Sequence, residues 1–123
     1  LVEAACRTAN GALRDLLIVD ARPTTSALAN AVQGRGSEHV EFYGGPARCR
    51  KVHLALPNIH AVREWTREAR AGNPGAWENG LGRLIEGAAM IAEALASGKA
   101  VLVHCSDGWD RTPQLTALAA LLA

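Results

Sequence analysis

Apolar residues fall into short blocks along this chain, and the spacing inside each block differs. Leu16-Leu17-Ile18-Val19 is a continuous apolar run with β-branched members, closed by Asp20 and Pro23, which predicts a buried strand. A short helix is expected next. Thr24, Thr25 or Ser26 can cap it, Leu28 and Val32 face inward, and Gly34 and Gly36 end it. From Gly34 to Arg50 no period is sustained and Gly44-Gly45-Pro46 carries turn chemistry, so this stretch reads as a surface loop. Val52, Leu54 and Leu56 then alternate with His53 and Ala55 up to Pro57, the pattern of a second strand.

Asn58 stands where a side-chain oxygen can accept from the unpaired N–H groups of a helix start, and the helix it caps should run to about Ala71. Gly72-Asn73-Pro74-Gly75 breaks it. Leu81, Leu84, Ile85, Ala88, Ile91, Ala92 and Leu95 recur every three or four residues, so a second helix is expected to pack one face on a core and stop at Gly98. Val101-Leu102-Val103 is a third strand, the polar loop Cys105 to Arg111 follows, and Thr112 opens a last helix. Strands alternating with helices predict an α/β fold, in which functional groups gather at the carboxyl ends of the strands.

Composition narrows the functional classes. The 123 residues suffice for one domain, and 49% hydrophobic with 20% charged residues is ordinary globular usage. Thirteen Lys and Arg against 12 Asp and Glu leave a formal charge of +1, so no bulk field draws the chain to nucleic acid or to an anionic membrane. Cys6, Cys49 and Cys105 are odd in number and widely spaced, which fits a reducing cytoplasm rather than a disulfide framework. No apolar run approaches the roughly 18 residues a bilayer span needs, and a soluble chain is expected. It opens at Leu1 without a Met and stops inside the apolar run Leu115 to Ala123, which predicts a segment cut from a longer domain at both ends. Metal ligation is not expected, since Cys49 and His53 are one lone pair of ligands without a second pair.

The chemistry concentrates in Val103-His104-Cys105-Ser106-Asp107-Gly108-Trp109-Asp110-Arg111-Thr112, where a Cys and an Arg stand five residues apart between a strand and a helix. Such a loop can turn successive N–H groups inward, and the helix that follows adds its positive end to the same hollow. Arg111 can then meet two phosphate oxygens through its planar fork. In that field the Cys105 thiolate is favoured over the thiol and becomes a nucleophile near neutral pH, with Thr112 placed to stabilise the sulfur. The spacing alone would be weak; the strand before it, the helix after it, Gly108 inside it and the Thr behind the Arg make it a phosphate-binding catalytic loop.

The string Cys105 to Thr112 resembles the signature of the myotubularin family of phosphoinositide 3-phosphatases, within the Cys-based protein-tyrosine-phosphatase superfamily. The likeness extends in order to Val19-Asp20-Ala21-Arg22-Pro23, to Asn30 followed by Gly34-Arg35-Gly36-Ser37-Glu38, to Asn58-Ile59-His60-Ala61-Val62-Arg63, and to Gln114-Leu115-Thr116. It implies a protein-tyrosine-phosphatase-like sheet flanked by helices, here part of a larger catalytic domain. By the same resemblance Cys105 is the nucleophile, Asp110 the general acid, and Arg111 with Ser106, Asp107, Gly108 and Trp109 the wrapping around the scissile 3-phosphate. Asn30, Asn58 and the backbone at Ile59 match positions that hold the phosphate bridging inositol to diacylglycerol. The implied substrate is phosphatidylinositol 3-phosphate, with the 3,5-bisphosphate as a second candidate. No cofactor is implied. A lipid headgroup is the implied partner, met by peripheral contact with endosomal-type membranes from the cytoplasm, and homo- or hetero-oligomers with relatives belong to the same picture. The basic residues that read a 5-phosphate are expected beyond the end of this chain.

Plainer readings compete at several positions. Asp20 and Arg22 read from position as a buried ion pair or a helix-capping device, and His104 as hydrogen-bonded support for the loop. Asn30 and Asn58 suit caps or turns as well as ligand contacts. Trp109 either stacks on the lipid ring or fills the wall of the loop; Trp65 and Trp77 read as packing residues, and Arg48, Arg50 and Lys51 as a solvated basic loop. Two other functions share the loop's chemistry. One is a catalytically incompetent module that only grips the headgroup, and the other is a protein-tyrosine or dual-specificity phosphatase, against which the acidic Asp107 and Asp110 count.

Overall fold

The structure, a computed structural model, describes residues 6–8, 10–24 and 38–123. Three strands, β1 (Leu16–Asp20), β2 (Cys49–His53) and β3 (Ala100–His104), form a parallel sheet in the order β2-β1-β3. Parallel neighbours need a crossover between them. Two helices, α1 (Ile59–Arg70) and α2 (Gly75–Ala96), carry the chain from β2 across to β3 on the other side of β1, and α3 (Arg111–Leu122) follows β3. The expected α/β class is what these elements form.

Because β1 lies in the middle, all five of its residues are buried, which is why its sequence is a continuous apolar run rather than an alternation. The two-residue period still sorts them. Leu17 and Val19 join Ala88, Ile91, Ala94, Leu115 and Ala119 of α2 and α3, whereas Leu16 and Ile18 pack with Cys6 and Cys49 on the opposite face. A single turn of 3-10 helix, Val40–Tyr43, lies over that second cluster, within the stretch read as a loop.

The second strand lies three residues earlier than the alternation predicts. Cys49 to His53 pair with Leu16 to Asp20, so Arg50 and Lys51 belong to an edge strand and not to a solvated loop. Leu54 and Leu56 still donate their N–H groups to the carbonyls of Asp20 and Ala21, at 3.0 and 2.9 Å. Ala55 between them takes a φ of 51°, which breaks the extended geometry and ends the strand.

Helix α1 begins as predicted: the Asn58 side chain accepts from the N–H of Ala61 at 3.1 Å. Helix α2 starts at Gly75, inside the predicted break, and its inward face is made of Gly87, Ala88, Ile91, Ala92 and Ala94. Leu81, Ile85 and Leu95, expected inside, are 46%, 48% and 43% exposed. Length explains two of them. A 22-residue helix is about 33 Å long, and the five-residue strands beneath it cover about 17 Å. Leu81 and Leu95 therefore overhang the sheet, while Ile85 lies on the flank of the buried stripe. Beyond Thr24, the helix expected up to Gly34 lies outside the described residues, and so does the candidate Asn30.

Small residues on α2 set how closely its neighbours approach. A Cβ on Gly80 would stand 2.2 Å from an atom of the Trp65 ring, and one on Gly87 would meet the flexible tips of Leu54 and Leu115 at 2.7 and 3.1 Å. Alanine gains about 1 kcal/mol of helix propensity over glycine, while a forced ring displacement costs about 1–3 kcal/mol. Gly80→Ala is therefore expected to lower the urea midpoint and Gly87→Ala to leave it nearly unchanged; equal effects would mean that Trp65 is not seated on α2.

Candidate active site

The loop from Cys105 to Asp110 joins the carboxyl end of β3 to the amino end of α3. Cys105 is buried at the edge of the core cluster that also holds Leu56 and Leu115, while the loop curls over the sulfur. Gly108 takes a φ of 77° and donates its N–H to Cys105 Sγ at 3.2 Å; the left-handed backbone is what allows the chain to turn back. Burial by itself would push the thiol up. That effect is outweighed by the donors around the sulfur, namely the Thr112 hydroxyl and the N–H groups of Gly108, Thr112 and Asp107, and the thiol lies below its ordinary value. Thr112 Oγ1 is buried without a hydrogen-bond partner among the described residues, which leaves its hydroxyl to turn toward the sulfur.

Asp110 caps α3, its Oδ1 accepting from the N–H of Arg111 at 2.7 Å, and the same oxygen lies 4.0 Å from Cys105 Sγ. The helix therefore starts at Arg111, one residue before the expected Thr112. Arg111 is held from two sides. Its Nη1 donates to the Leu56 carbonyl at 3.3 Å and its Nη2 to Ser106 Oγ at 3.4 Å, with Nε 3.7 Å from Asp110 Oδ1. The guanidinium is thus pinned beside the loop with fork donors to spare for an anion.

Above the loop opens a cleft of about 1160 Å³. One wall is the loop, from Ser106, Asp107, Trp109, Asp110 and Arg111; the other is Pro23, Pro57 and the first turn of α1 at Asn58, Ile59, His60 and Ala61. Trp109 is 87% exposed, so its ring stands at the rim and does not fill the wall of the loop. Asn58 spends its side-chain oxygen on the cap and keeps both amide hydrogens, while Ile59 is 61% exposed. In an α-helix the first N–H groups have no internal partner. Asn58 takes up that of Ala61 through its side chain, and its carbonyl starts the regular ladder at Val62, so those of Ile59 and His60 are left for a ligand.

The structure thus brings Ser106, Asp107, Trp109, Asp110 and Arg111 into one cleft with Asn58 and Ile59; Cys105 and Gly108 lie in the same loop without lining that cleft, and Asn30 lies outside the described residues. Two contributions escaped sequence reasoning. The Leu56 carbonyl that grips Arg111 is a backbone group with no signature, and the cleft position of His60 follows only from the Asn58 cap beside it. Asp20 and Arg22 form the expected buried ion pair, with Nη2 to Oδ2 at 2.7 Å. Chemically, the hollow can hold a tetrahedral dianion over a thiolate, with a helix terminus and a guanidinium around it and a carboxyl group close by.

Comparison with known proteins shows the family to which the sequence belongs. The sequence profile of the myotubularin-like phosphatase domain matches residues 1–123. Phosphatidylinositol-3,5-bisphosphate 3-phosphatase MTMR4 of Homo sapiens is 39% identical over 87% of this chain and 10% of its own length. Phosphatidylinositol-3,5-bisphosphate 3-phosphatase MTMR3 of Caenorhabditis elegans is 40% identical over 89% of the chain and 12% of its own. Myotubularin of Xenopus laevis is 37% identical over 94% of the chain and 21% of its own. The chain thus spans between 10% and 21% of these three relatives.

Proposed function

The chain belongs to the myotubularin-like phosphatase family, and we propose that it carries the nucleophile and phosphate loop of a phosphoinositide 3-phosphatase. The observation that carries this reading is the sulfur of Cys105, which accepts from the Gly108 N–H at 3.2 Å, lies 4.0 Å from Asp110 Oδ1 and belongs to the loop whose Ser106, Asp107, Asp110 and Arg111 line an open cleft. In the first step the Cys105 thiolate attacks phosphorus in line with the inositol 3-oxygen. A sulfur–phosphorus bond forms as the phosphorus–oxygen bond breaks, Arg111 and the loop N–H groups stabilise the equatorial oxygens, and Asp110 gives its proton to the departing alkoxide. Water then cleaves the phosphocysteine, returning inorganic phosphate and the thiolate, with Asp110 as base. The first turn of α1, with Asn58 and the N–H groups of Ile59 and His60, receives the second phosphate of the headgroup. Phosphatidylinositol 3-phosphate is the substrate, presented at the cytoplasmic face of endosomal-type membranes, and the names of the relatives support the 3,5-bisphosphate as well. Oligomers with relatives would present several such clefts to one membrane.

Phosphate release from short-chain phosphoinositides by the full-length protein tests this. Release from the 3-phosphate should exceed that from the 4- and 5-phosphates by roughly tenfold or more, and acid quenching should leave phosphate on the Cys105 peptide. Preference for phosphotyrosine peptides would instead assign a tyrosine phosphatase, and headgroup binding without release a binding module.

A further inference from the structure

The carboxyl ends of the three strands bring four ionisable side chains together. Register sets Asp20 opposite His53 on one neighbouring strand and opposite His104 on the other. Asp20 is fully buried and Arg22 is 3% exposed. Arg22 folds back onto the carboxylate: Nε donates to Oδ1 at 2.8 Å, Nη2 to Oδ2 at 2.7 Å, and the backbone N–H of Arg22 to Oδ1 at 3.0 Å. Three bonds thereby close the turn from Asp20 to Arg22. Oδ2 also faces His53 Nδ1 at 3.6 Å and His104 Nε2 at 3.7 Å, and both nitrogens are buried without a hydrogen-bond partner among the described residues. Burial pushes the Asp20 carboxyl up, but the bonds from Arg22 outweigh it and hold the group below its ordinary value. With its carboxylate engaged by Arg22 on both oxygens this is no ligand set, and no candidate metal cluster occurs among the described residues.

The middle residue of that turn reaches both ends of the phosphate loop. Ala21 donates its N–H to the carbonyl of His104, the residue before the nucleophile, at 2.9 Å. Its carbonyl accepts from Leu56 N–H, also at 2.9 Å, and the Leu56 carbonyl in turn accepts from Arg111 Nη1 at 3.3 Å. His104 adds a closer tie, its Nδ1 lying 3.3 Å from the carbonyl of Cys105 itself. A buried ion pair returns little net stability for the desolvation it costs; what this one fixes is the position of one backbone turn. We propose that Asp20 and Arg22 act as one positioning unit for the phosphate loop, setting the Cys105 sulfur through His104 and the Arg111 guanidinium through Leu56.

The proposal rests on the phosphatase reading of the loop, yet one of its readouts does not depend on turnover. Two variants of the full-length protein keep the local net charge: Asp20→Asn with Arg22→Gln, which removes one charge of each sign, and Arg22→Lys, which keeps the charge and loses the fork. Both leave His53, His104, Asp107, Asp110 and Arg111 in place. Iodoacetamide alkylation is followed against pH on the Cys105 peptide by mass spectrometry, since Cys6 and Cys49 are also free thiols. A sulfur displaced from its donors titrates higher, so the double variant should react roughly tenfold more slowly at about pH 6 with an unchanged plateau at high pH. Its kcat should fall by about tenfold or more with KM within about threefold, and Arg22→Lys should lie between it and wild type. Cys105 profiles overlaying wild type in folded variants, even ones of lowered Tm, would overturn the proposal and leave a structural pair. If the double variant does not fold, Arg22→Lys decides by the same criteria. If the wild type releases no phosphate, the phosphatase reading fails while the alkylation profiles still decide this one.

Discussion

Replacing Cys105 by Ser is expected to lower phosphoinositide turnover to less than about a hundredth of the wild-type rate and to leave headgroup binding within about threefold. The substitution keeps a Cβ at the same buried position of the core cluster, so the loop retains its anchor. What changes is the nucleophile. The donors from Thr112, Gly108 and Asp107 bring a thiol below its ordinary value, but a serine hydroxyl starts far too high for the same donors to ionise it near neutral pH. Arg111 and the loop N–H groups remain, which is why binding survives. The wild-type pH profile checks the same point from another side. Because the folded thiol is lowered, thiolate persists below the range of an ordinary cysteine, about pH 8.5. As pH falls through the lowered value the nucleophile is protonated and kcat/KM should decline on an acidic limb. A serine variant above a hundredth of the wild-type rate would contradict covalent catalysis, whatever its binding.

Much of this site was legible because its determinants are local. A strand of apolar β-branched residues, a Cys and an Arg five residues apart, a glycine where the loop must turn back and a helix behind it all lie within one short segment, and α1 announces itself through Asn58. The misread elements are those decided by partners elsewhere. Val52, Leu54 and Leu56 alternate perfectly well, yet β1 pairs with Cys49 to His53 and a left-handed Ala55 ends the ladder. The apolar spacing of α2 gave its period correctly, whereas the inward stripe depends on where short strands lie beneath a long helix. The grip of Leu56 on Arg111 spans 55 residues through a carbonyl that any side chain could accompany. Asp20 and Arg22 were visible as an ion pair, but their connection to the loop runs through the backbone of Ala21 and has no signature in residue types.

Asp110→Asn should slow hydrolysis of a phosphoinositide by about a hundredfold or more, and that of an activated aryl phosphate by less than about tenfold. The difference lies in the leaving group: an inositol alkoxide departs poorly without a proton, while an activated aryl oxide leaves unaided. The structure makes asparagine a fair probe. Asp110 Oδ1 accepts from the N–H of Arg111 at 2.7 Å, and an asparagine carbonyl oxygen can accept the same bond, so the cap on α3 is preserved. That oxygen also stands beside the sulfur, at 4.0 Å, and in-line attack puts the leaving oxygen on the far side of phosphorus. Asparagine keeps that acceptor but has no acidic proton to give the alkoxide. Arg111 Nη1 and Nη2 keep their contacts with Leu56 and Ser106 in the variant, so a loss common to both substrates cannot be charged to the acid step. The measurement is the ratio of the two losses at one pH with the same variant. Equal losses would show that Asp110 acts by shaping the loop, and the acid would then have to come from a residue other than Asp110.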